Sequence, residues 1–348
     1  MSHLRGVVIG AGYFSQFHFE AWSRIEKVDL VGVCDFDLER AGEAVRKYDA
    51  GRAYRDVATM FQQEQPDFVD IVTRPDTHLE LVSLAAEHGI PTICQKPLAP
   101  TFETSREISR VAKAAKLPLM VHENFRFQPW YREIKRQLDS QAIGDRLHSI
   151  SFRCRTGDGW QPDAYMARQP YFRDMPKFLI FETGVHFIDT FRYLGGEIDG
   201  VFASLRTLNP GIVGEDAGTV LFEFENGCRG MWDANRFNET NAEDPRYTFG
   251  EALVEGNGGS LRLYNDGRLT VQPLGESERE LAYTHERKNF AGDCVFATQQ
   301  HFVRCLRASV PFETNAADYL KTLAIQEAVY RSAESGLPVR GLANLSEE

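Results

Sequence analysis

The sequence has few cysteines, no excess of positive charge and no long hydrophobic run. Its six cysteines include no Cys-x-x-Cys pair and its nine histidines no His-Glu-x-x-His motif, so we predict no metal site. The net charge of −11 argues against nucleic acid or an anionic membrane as the main partner. No apolar run approaches the roughly 20 residues of a membrane span, and no signal-peptide pattern precedes the first strand. These absences predict a cytoplasmic protein.

The first apolar run leads directly into a glycine turn. It predicts a buried strand, which Gly10 and Gly12 follow before an amphipathic helix begins at Phe14. This order is typical of a dinucleotide fingerprint, in which the N–H groups at the helix start bind a pyrophosphate. The predicted cofactor site includes both glycines, Tyr13 and Phe14. The third fingerprint position carries Ser15 instead of glycine.

The second predicted strand ends at Asp35, where such a unit carries the acid that binds ribose. A carboxylate there accepts hydrogen bonds from both adenosine ribose hydroxyls and repels a 2′-phosphate. Phe36 follows, with no Arg or Lys directly after it. We therefore predict NAD as the cofactor in preference to NADP. An acidic turn residue at a strand end is the alternative interpretation.

Strands and helices alternate up to about His122, which predicts a doubly wound, mostly parallel sheet. The strands predicted beyond this point are closely spaced and joined by glycine turns such as Asn226-Gly227, which favour antiparallel pairs. We predict an α/β protein with a Rossmann domain over residues 1–122. A second α/β domain, built on a mainly antiparallel sheet, is predicted over residues 123–348.

In a doubly wound parallel sheet, ligands bind at the carboxyl ends of the strands. The residues predicted at those ends are Thr73, Arg74, Pro75, Gln95, Lys96 and His122. A lysine there can hydrogen-bond a substrate hydroxyl, and its charge favours the alkoxide that develops as hydride leaves. The alternative for Lys96 is a solvated lysine before a proline turn.

Glu182 and His186 are four residues apart, which predicts that they lie on one helix face, a turn apart. A histidine can take a hydroxyl proton near neutral pH, and a carboxylate can orient it or hold the substrate. The alternative is a core histidine, since Phe187, Ile188 and Phe191 follow on the same helix.

A long segment without clear periodicity, residues 156–181, carries aromatic residues among charged ones. Long loops beside a site are often lids or binding loops, and aromatic faces among polar groups suit a sugar. We predict that Arg155, Trp160 and Arg173 contact the substrate. A surface loop packed by its own aromatic side chains is the alternative.

Together these motifs resemble the Gfo/Idh/MocA oxidoreductase family, which includes glucose–fructose oxidoreductase and inositol dehydrogenases. The resemblance is carried by Gly10-Ala11-Gly12, Thr73-Arg74-Pro75 with His78, Lys96-Pro97, Asn124 with Arg126, and Gly184 to Asp189. It implies a Rossmann domain, an α/β domain whose open sheet often forms an oligomer interface, and NAD(P)-linked chemistry on sugars or polyols. It also implies that Lys96 and His186 are catalytic, that His78 and Asn124 bind cofactor, and that Asn124 contacts substrate.

Two positions depart from the family pattern. Gln95 stands where a glutamate is usual, which removes a negative charge beside Lys96. Glu182 stands where an aspartate is common, so its carboxylate reaches one methylene further. Either His186 or Lys96 can then be the general base. We favour His186, with Lys96 hydrogen-bonding the same oxygen.

The sequence thus predicts an NAD-dependent dehydrogenase that takes hydride from a carbinol carbon of a sugar. The favoured reaction converts C1 of a cyclic pentose to a lactone. We expect a small-molecule substrate and a homodimer or homotetramer. The alternatives are an inositol or polyol dehydrogenase, a ketone or imine reductase, and a non-catalytic NAD-binding sensor.

Overall fold

The computed structural model describes residues 3–343, which form two compact units. Unit one contains residues 3–124 and 295–320, and unit two contains residues 125–294 and 321–343. Across residues 3–343, no helix combines the length and the apolar character needed to span a bilayer.

Unit one is built on a six-stranded parallel sheet. Its strands are β1 (Leu4–Ile9), β2 (Val28–Cys34), β3 (Arg52–Tyr54), β4 (Phe68–Ile71), β5 (Thr92–Gln95) and β6 (Leu119–His122). Their order is β3-β2-β1-β4-β5-β6, and each neighbouring pair is parallel. The predicted doubly wound sheet is therefore confirmed. The order reverses between β1 and β4, the point at which such sheets bind ligands.

Helices connect these strands. They are α1 (Ser15–Trp22), α2 (Leu38–Tyr48), α3 (Val57–Glu64), α4 (His78–Glu87) and α5 (Phe102–Ala114). At the start of α2, α3 and α5, the side chains of Asp37, Asp56 and Thr101 accept hydrogen bonds from backbone N–H groups of the first turn. These caps satisfy amides that have no partner inside the helix, so the local sequence fixes where each helix begins.

Residues 295–320 belong to unit one, although the sequence-based boundary assigned residues 123–348 to one second domain. The segment contains most of α9 (Cys294–Ala308) and the first five residues of α10 (Ala316–Ser335).

Packing explains why this late segment belongs to unit one. The ring of Phe302 is fully buried, and its centroid lies 5.5 Å from that of Phe68 and 6.5 Å from that of Trp22. The backbone N–H of Val121 donates to the carbonyl of Thr314 at 2.8 Å. Periodicity along the chain cannot reveal such contacts, because it reports which residues are buried and not against what.

The helix α10 begins at Ala316 and ends at Ser335. The Asn315 side chain caps it by accepting a hydrogen bond from the Asp318 N–H at 3.0 Å. Gly336 follows with φ of +69°, a conformation that ends helices.

Unit two is built on a nine-stranded mixed sheet in the order β14-β13-β12-β11-β7-β10-β9-β8-β15. The strands are β7 (Leu147–Arg155), β8 (Ile198–Arg206), β9 (Ala217–Phe224), β10 (Arg229–Asn235), β11 (Glu251–Gly256), β12 (Gly259–Leu263), β13 (Leu269–Pro273), β14 (Arg279–Glu280) and β15 (Val339–Arg340). The helices are α6 (Pro129–Asp139), α7 (Val185–Gly195) and α8 (Pro245–Thr248). The β7–β10 pair is parallel and the other pairs are antiparallel, so the predicted mainly antiparallel sheet is confirmed.

One face of this sheet is covered by α7. Phe187 of α7 packs on Phe152 of β7 and Trp232 of β10, with ring centroids 5.6 and 5.1 Å apart. Because strand side chains alternate between faces, the neighbours of these aromatics point to the opposite face. That outer face exposes Leu221 and Met231, each at 43%.

Candidate functional site

The residues predicted to bind cofactor lie at one edge of the sheet in unit one. They are Gly10, Gly12, Tyr13 and Phe14 after β1, Asp35 after β2, Thr73, Arg74 and Pro75 after β4, Gln95 and Lys96 at the end of β5, and Asn124 after β6. Parallel strands end at the same edge, so residues far apart in sequence are brought to one side of the sheet.

The turn after β1 has the geometry that a pyrophosphate requires. Gly10 has φ of +104°, and a Cβ there would lie 2.5 Å from the carbonyl oxygen of Val72, so only glycine fits. A Cβ on Gly12 would meet nothing within 4 Å, which leaves open space beside the turn. The Ser15 hydroxyl donates to the Gly12 carbonyl at 2.7 Å and ties α1 to the turn.

The Asp35 carboxylate is held against this turn. One oxygen accepts the Ala11 N–H at 2.7 Å, and the other accepts the Asp37 N–H at 2.9 Å. Each carboxylate oxygen retains a lone pair with which to accept a ribose hydroxyl. Beside it, the ring of Phe36 is 77% exposed. The glycine turn and this carboxylate therefore fit NAD.

His78 does not present a ring nitrogen to a cofactor, in contrast to its predicted role. It is fully buried, with Nδ1 3.0 Å from the Leu98 carbonyl and Nε2 3.2 Å from the Thr73 carbonyl. Burial lowers the pKa of His78, so the ring is neutral at pH 7 and donates to one carbonyl at a time. The ring ties the loop after β4 to the loop after β5. Arg74, by comparison, has a side chain that is 79% exposed.

Lys96 leaves β5 at the same edge of the sheet. Its backbone N–H donates to the Gln95 side-chain oxygen at 2.7 Å, and its peptide bond to Pro97 is cis. The Gln95 amide nitrogen lies 3.1 Å from Nε2 of His18. Both polar atoms of the Gln95 side chain therefore bond to other groups of the protein. Lys96 is the next residue along the chain.

The residues that follow β6 differ in their surroundings. His122 is buried, and its ring centroid lies 4.1 Å from that of His18 with the two planes tilted by 31°. Glu123 is buried and accepts the Tyr319 hydroxyl at 2.9 Å. The buried Oδ1 of Asn124 has no hydrogen-bond partner within residues 3–343. A buried acceptor without a partner is the feature expected of a residue that binds a ligand.

Glu182 and His186, predicted to lie a turn apart on one helix face, lie in two consecutive helical segments of different type. Leu179–Gly184 forms a π-helical turn that contains Glu182, and α7 begins after it. Glu215 accepts the Ile180 N–H at 3.0 Å, which satisfies an amide at the start of this turn. Such turns insert one extra residue into a helix and occur frequently at functional sites.

His186 lies in the first turn of α7 with 5% of its surface exposed. Its ring stacks on Phe125, with centroids 4.0 Å apart and planes 4° apart. Parallel stacking of this kind fixes the plane of the imidazole. Phe187 and Ile188 are buried beside it, so this end of α7 is held by packing.

Sequence reasoning missed Arg236, which is 5% exposed and directly follows β10. Its guanidinium donates to Asp158 at 2.5 and 3.1 Å and to Glu182 at 3.3 Å. The rings of Tyr165 and Phe178 lie 5.0 and 4.8 Å from it. Arg236 therefore connects the predicted catalytic carboxylate to the long loop that begins at residue 156.

The charges of this cluster stabilise one another. Burial is the largest single influence on the pKa of Asp158 and would raise it, but the charge and hydrogen bonds of Arg236, together with Thr156 and Arg168, outweigh burial and hold that pKa below its ordinary value. Burial would lower the pKa of Arg236, but Asp158 and Glu182 raise it instead. The cluster is therefore an ion pair at neutral pH.

Arg155 lies on the outer face of the sheet in unit two, in contrast to its predicted substrate contact. Its neighbour Cys154 is buried on the α7 face, so by strand alternation Arg155 points the other way. There its guanidinium donates to the Asp233 carboxylate at 2.6 Å.

The long loop is packed largely by its own side chains, as the alternative interpretation predicted. Tyr165 and Phe172 are buried together with Phe178. Arg173 donates to carbonyls within the loop, at 2.8 Å for Pro162 and 3.2 Å for Ala164, and so holds the loop closed. Trp160, at 44% exposed, remains available on the surface of this loop.

Within residues 3–343, no three His, Cys, Asp or Glu side chains form a group that could hold a metal ion. All six cysteines are buried and none forms a disulfide, and burial raises the pKa of the Cys34 thiol to about 12.

Two family profiles match the chain. Residues 4–123 match the "Oxidoreductase family, NAD-binding Rossmann fold", and residues 131–262 match the "GFO/IDH/MocA C-terminal domain". Together they cover Glu182, His186 and the predicted cofactor residues other than Asn124.

Among curated proteins, the chain is similar to two D-apiose dehydrogenases. It is 35% identical to that of Paraburkholderia graminis, over 97% of this chain and 90% of the relative. It is 33% identical to that of Rhizobium rhizogenes, over 97% of this chain and 98% of the relative. Residues 5–15 and 95–100 by themselves resemble D-apiose dehydrogenase, and the two matches extend this similarity over nearly the whole chain.

Among solved structures, the chain is similar to an oxidoreductase from Agrobacterium radiobacter in complex with NAD+, L-tartaric acid and magnesium. The two are 31% identical, with a TM-score of 0.90, over 99% of this chain and 100% of that chain.

Replacing Arg236 by Met should lower the free energy of unfolding by about 3–5 kcal/mol at pH 7, because Arg236 is itself buried and its loss leaves the partly buried Asp158 carboxylate, 23% exposed, without its main partner. The stabilisation of Asp158 is complete above its ordinary pKa of 3.8 and is lost as pH falls through the lower pKa of the folded state. Denaturant unfolding should therefore show a smaller difference in free energy of unfolding between wild type and variant in acid than at pH 7. Arg168→Met is the control, because Arg168 lies 3.3 Å from the same carboxylate and its side chain is 25% exposed. It should cost at most about 1 kcal/mol. Equal losses for both variants would contradict the account.

Proposed function

Because the chain belongs to the Gfo/Idh/MocA oxidoreductase family, we propose that this NAD-dependent oxidoreductase is a sugar dehydrogenase. Its substrate is a pentose such as D-apiose, which it oxidises at C1 to the lactone. The similarity to two D-apiose dehydrogenases over 97% of the chain carries this choice of substrate. The C1 carbon loses a hydride to NAD and its hydroxyl loses a proton, so lactone, NADH and a proton are formed.

Lys96 and His186 act on the same C1 hydroxyl in this proposal. Bound NAD supplies the hydride acceptor. An imidazole nitrogen of His186 accepts the hydroxyl proton, and the parallel stacking on Phe125 keeps the ring in one plane for that transfer. The Lys96 ammonium donates a hydrogen bond to the same oxygen and stabilises the negative charge that develops on it.

In this proposal Glu182 binds the sugar and does not accept the proton. Arg236 and the Thr183 hydroxyl, which donates at 2.7 Å, keep its carboxylate charged and oriented. A carboxylate held in this way accepts a hydrogen bond from a further sugar hydroxyl. Asn124 and Trp160 are proposed to supply the remaining polar and apolar contacts with the sugar. Arg155 and Arg173 are not included, because their guanidinium groups donate hydrogen bonds to other groups of unit two.

A cytoplasmic location and a homodimeric or homotetrameric state stay predictions. The exposed apolar residues on the outer face of the nine-stranded sheet, including Leu221 and Met231, are consistent with an assembly surface.

Incubation of the protein with NAD and a panel of pentoses and inositols tests the substrate. Absorbance of reduced cofactor should appear with D-apiose and with few other sugars, and the carbon product should be a lactone or its aldonate. Lys96→Met and His186→Ala should each lower kcat by at least about 100-fold, because each removes a group that acts in the transition state.

Turnover with inositols alone would instead identify a polyol dehydrogenase. Cofactor binding without turnover on any substrate would identify a sensor. Near-normal kcat in both variants would contradict the assigned roles of Lys96 and His186.

Replacing Asp35 by Ala should raise KM for NAD by about 10- to 100-fold, since hydrogen bonds to a charged group contribute about 1.5–3 kcal/mol. KM for NADP should stay the same or fall, because the carboxylate that repels a 2′-phosphate is gone. Steady-state kinetics with both cofactors measures the change in preference. Asp37→Ala is a matched control, since it removes the same charge two residues away, where the carboxylate caps α2. An equal loss for both cofactors in Asp35→Ala would refute the assignment.

A further inference from the structure

A chain of buried hydrogen bonds in unit one ends at the backbone of Lys96. It begins at Asp70 of β4, whose Oδ2 lies 2.8 Å from Nδ1 of His18 on α1. Nε2 of His18 lies 3.1 Å from the amide nitrogen of Gln95, and the Gln95 side-chain oxygen accepts the Lys96 N–H at 2.7 Å. Asp70 and His18 are fully buried and Gln95 is 7% exposed.

The protons along this chain have one consistent arrangement. A backbone N–H can only donate, so the Gln95 atom that faces it is the oxygen and the nitrogen faces His18. An amide nitrogen also only donates, so Nε2 of His18 carries a lone pair. The proton of the neutral ring is then on Nδ1, which donates to the Asp70 carboxylate. A second proton on His18 would place two donors against each other at Gln95.

Asp70 is anchored independently of His18. The same Oδ2 accepts the indole N–H of Trp22 at 2.7 Å and the side-chain amide of Gln299 at 3.4 Å. The His18 ring is also held between aromatic neighbours, with the tilted ring of His122 at 4.1 Å and Phe14 edge-on at 5.7 Å. The first link of the chain is therefore rigid, and hydrogen bonds are stronger in such a dry interior than in water.

Gln95 transmits this rigidity to the strand end. Its side chain bonds to the amide of the next residue, which closes a small ring and fixes the peptide plane that leads into Lys96. The Lys96 side chain itself is only partly buried. Displacement of a catalytic group by about 1 Å can reduce the rate about 100-fold, so the direction in which the chain leaves β5 matters for Lys96.

We propose that His18 and Gln95, anchored by Asp70, are positioning residues that fix the exit of β5 and so place the Lys96 ammonium for hydride transfer. The proposal rests on the catalytic role proposed above for Lys96. Breaking either link lets the strand end relax without removing a group that contacts NAD, because the Gln95 amide is bonded to His18 and to the Lys96 N–H and not, as the sequence predicted, to the cofactor. The effect therefore falls on kcat and leaves cofactor affinity nearly unchanged.

Kinetics of Gln95→Met, His18→Phe and the double variant test this. Met has nearly the volume of Gln without its amide, and Phe keeps a ring against His122. Each single variant should lower kcat about 10- to 100-fold, with KM and Kd for NAD within about 3-fold of the wild type. The double variant should be about as slow as the slower single variant, because both break the same chain. Thr92→Val is the control: Thr92 is buried on β5 and its hydroxyl donates to the Ile90 carbonyl, outside the chain of hydrogen bonds, so loss of this hydroxyl should leave kcat unchanged.

A change in kcat below about 3-fold in Gln95→Met, or losses that multiply in the double variant, would overturn the proposal. Nitrogen-15 NMR of His18 in the unmodified protein decides the matter even if the variants do not fold. Protonated Nδ1 and unprotonated Nε2 are expected at pH 7, and the reverse would refute the chain. Lys96→Met separates the two proposals: if it keeps wild-type turnover, the role of Lys96 fails; if it is inactive while Gln95→Met is normal, only the positioning role fails.

Discussion

Parallel strands in one sheet all end at the same edge, and this constraint assembles the cofactor half of the site. Gly12, Asp35 and Lys96 are far apart in sequence, yet β1, β2 and β5 bring them to that edge. The hydrogen bond from the Ala11 N–H to Asp35 joins the first two of these strand ends directly. It fixes a carboxylate beside the glycine turn before any ligand binds, so little ordering is left for the cofactor to induce.

In unit two, the candidate catalytic side chains are polar but lie among aromatic side chains, where polar groups are poorly solvated. Burying a charge is costly unless it is paired and hydrogen-bonded. Arg236 meets this condition with two carboxylates at once, Asp158 and Glu182, and with aromatic rings around its guanidinium. The π-helical turn over Leu179–Gly184 sets the direction of Glu182 relative to α7. Together these features give one carboxylate a defined position and charge, which is what recognition of a sugar hydroxyl requires.

Much of the fold and of the cofactor site could be predicted from the sequence, because the motifs that indicate them are short. The glycine turn, Asp35 at a strand end and the Asn315 cap all depend on a few adjacent residues. Arg236 could not be found in this way: it follows β10 with no motif around it, and its partners are 54 and 78 residues away. The same applies to Arg155 and Arg173, whose aromatic surroundings suggested a binding loop until their hydrogen-bond partners were known.

His18 and Asp70, by contrast, can be recognised as unusual in the sequence. A histidine on the apolar face of α1 and an aspartate inside an apolar strand are both costly unless they pair. Finding the pair still required the tertiary structure.

The central claim is that hydride passes directly from the sugar to NAD. D-Apiose carrying deuterium at C1 tests it most directly, with the reduced cofactor analysed by mass spectrometry and NMR. The account predicts reduced cofactor that carries one deuterium on the nicotinamide ring, and a rate lowered by the heavier isotope if hydride transfer limits turnover. Oxidation of the sugar with unlabelled reduced cofactor, and the deuterium recovered in water, would contradict it.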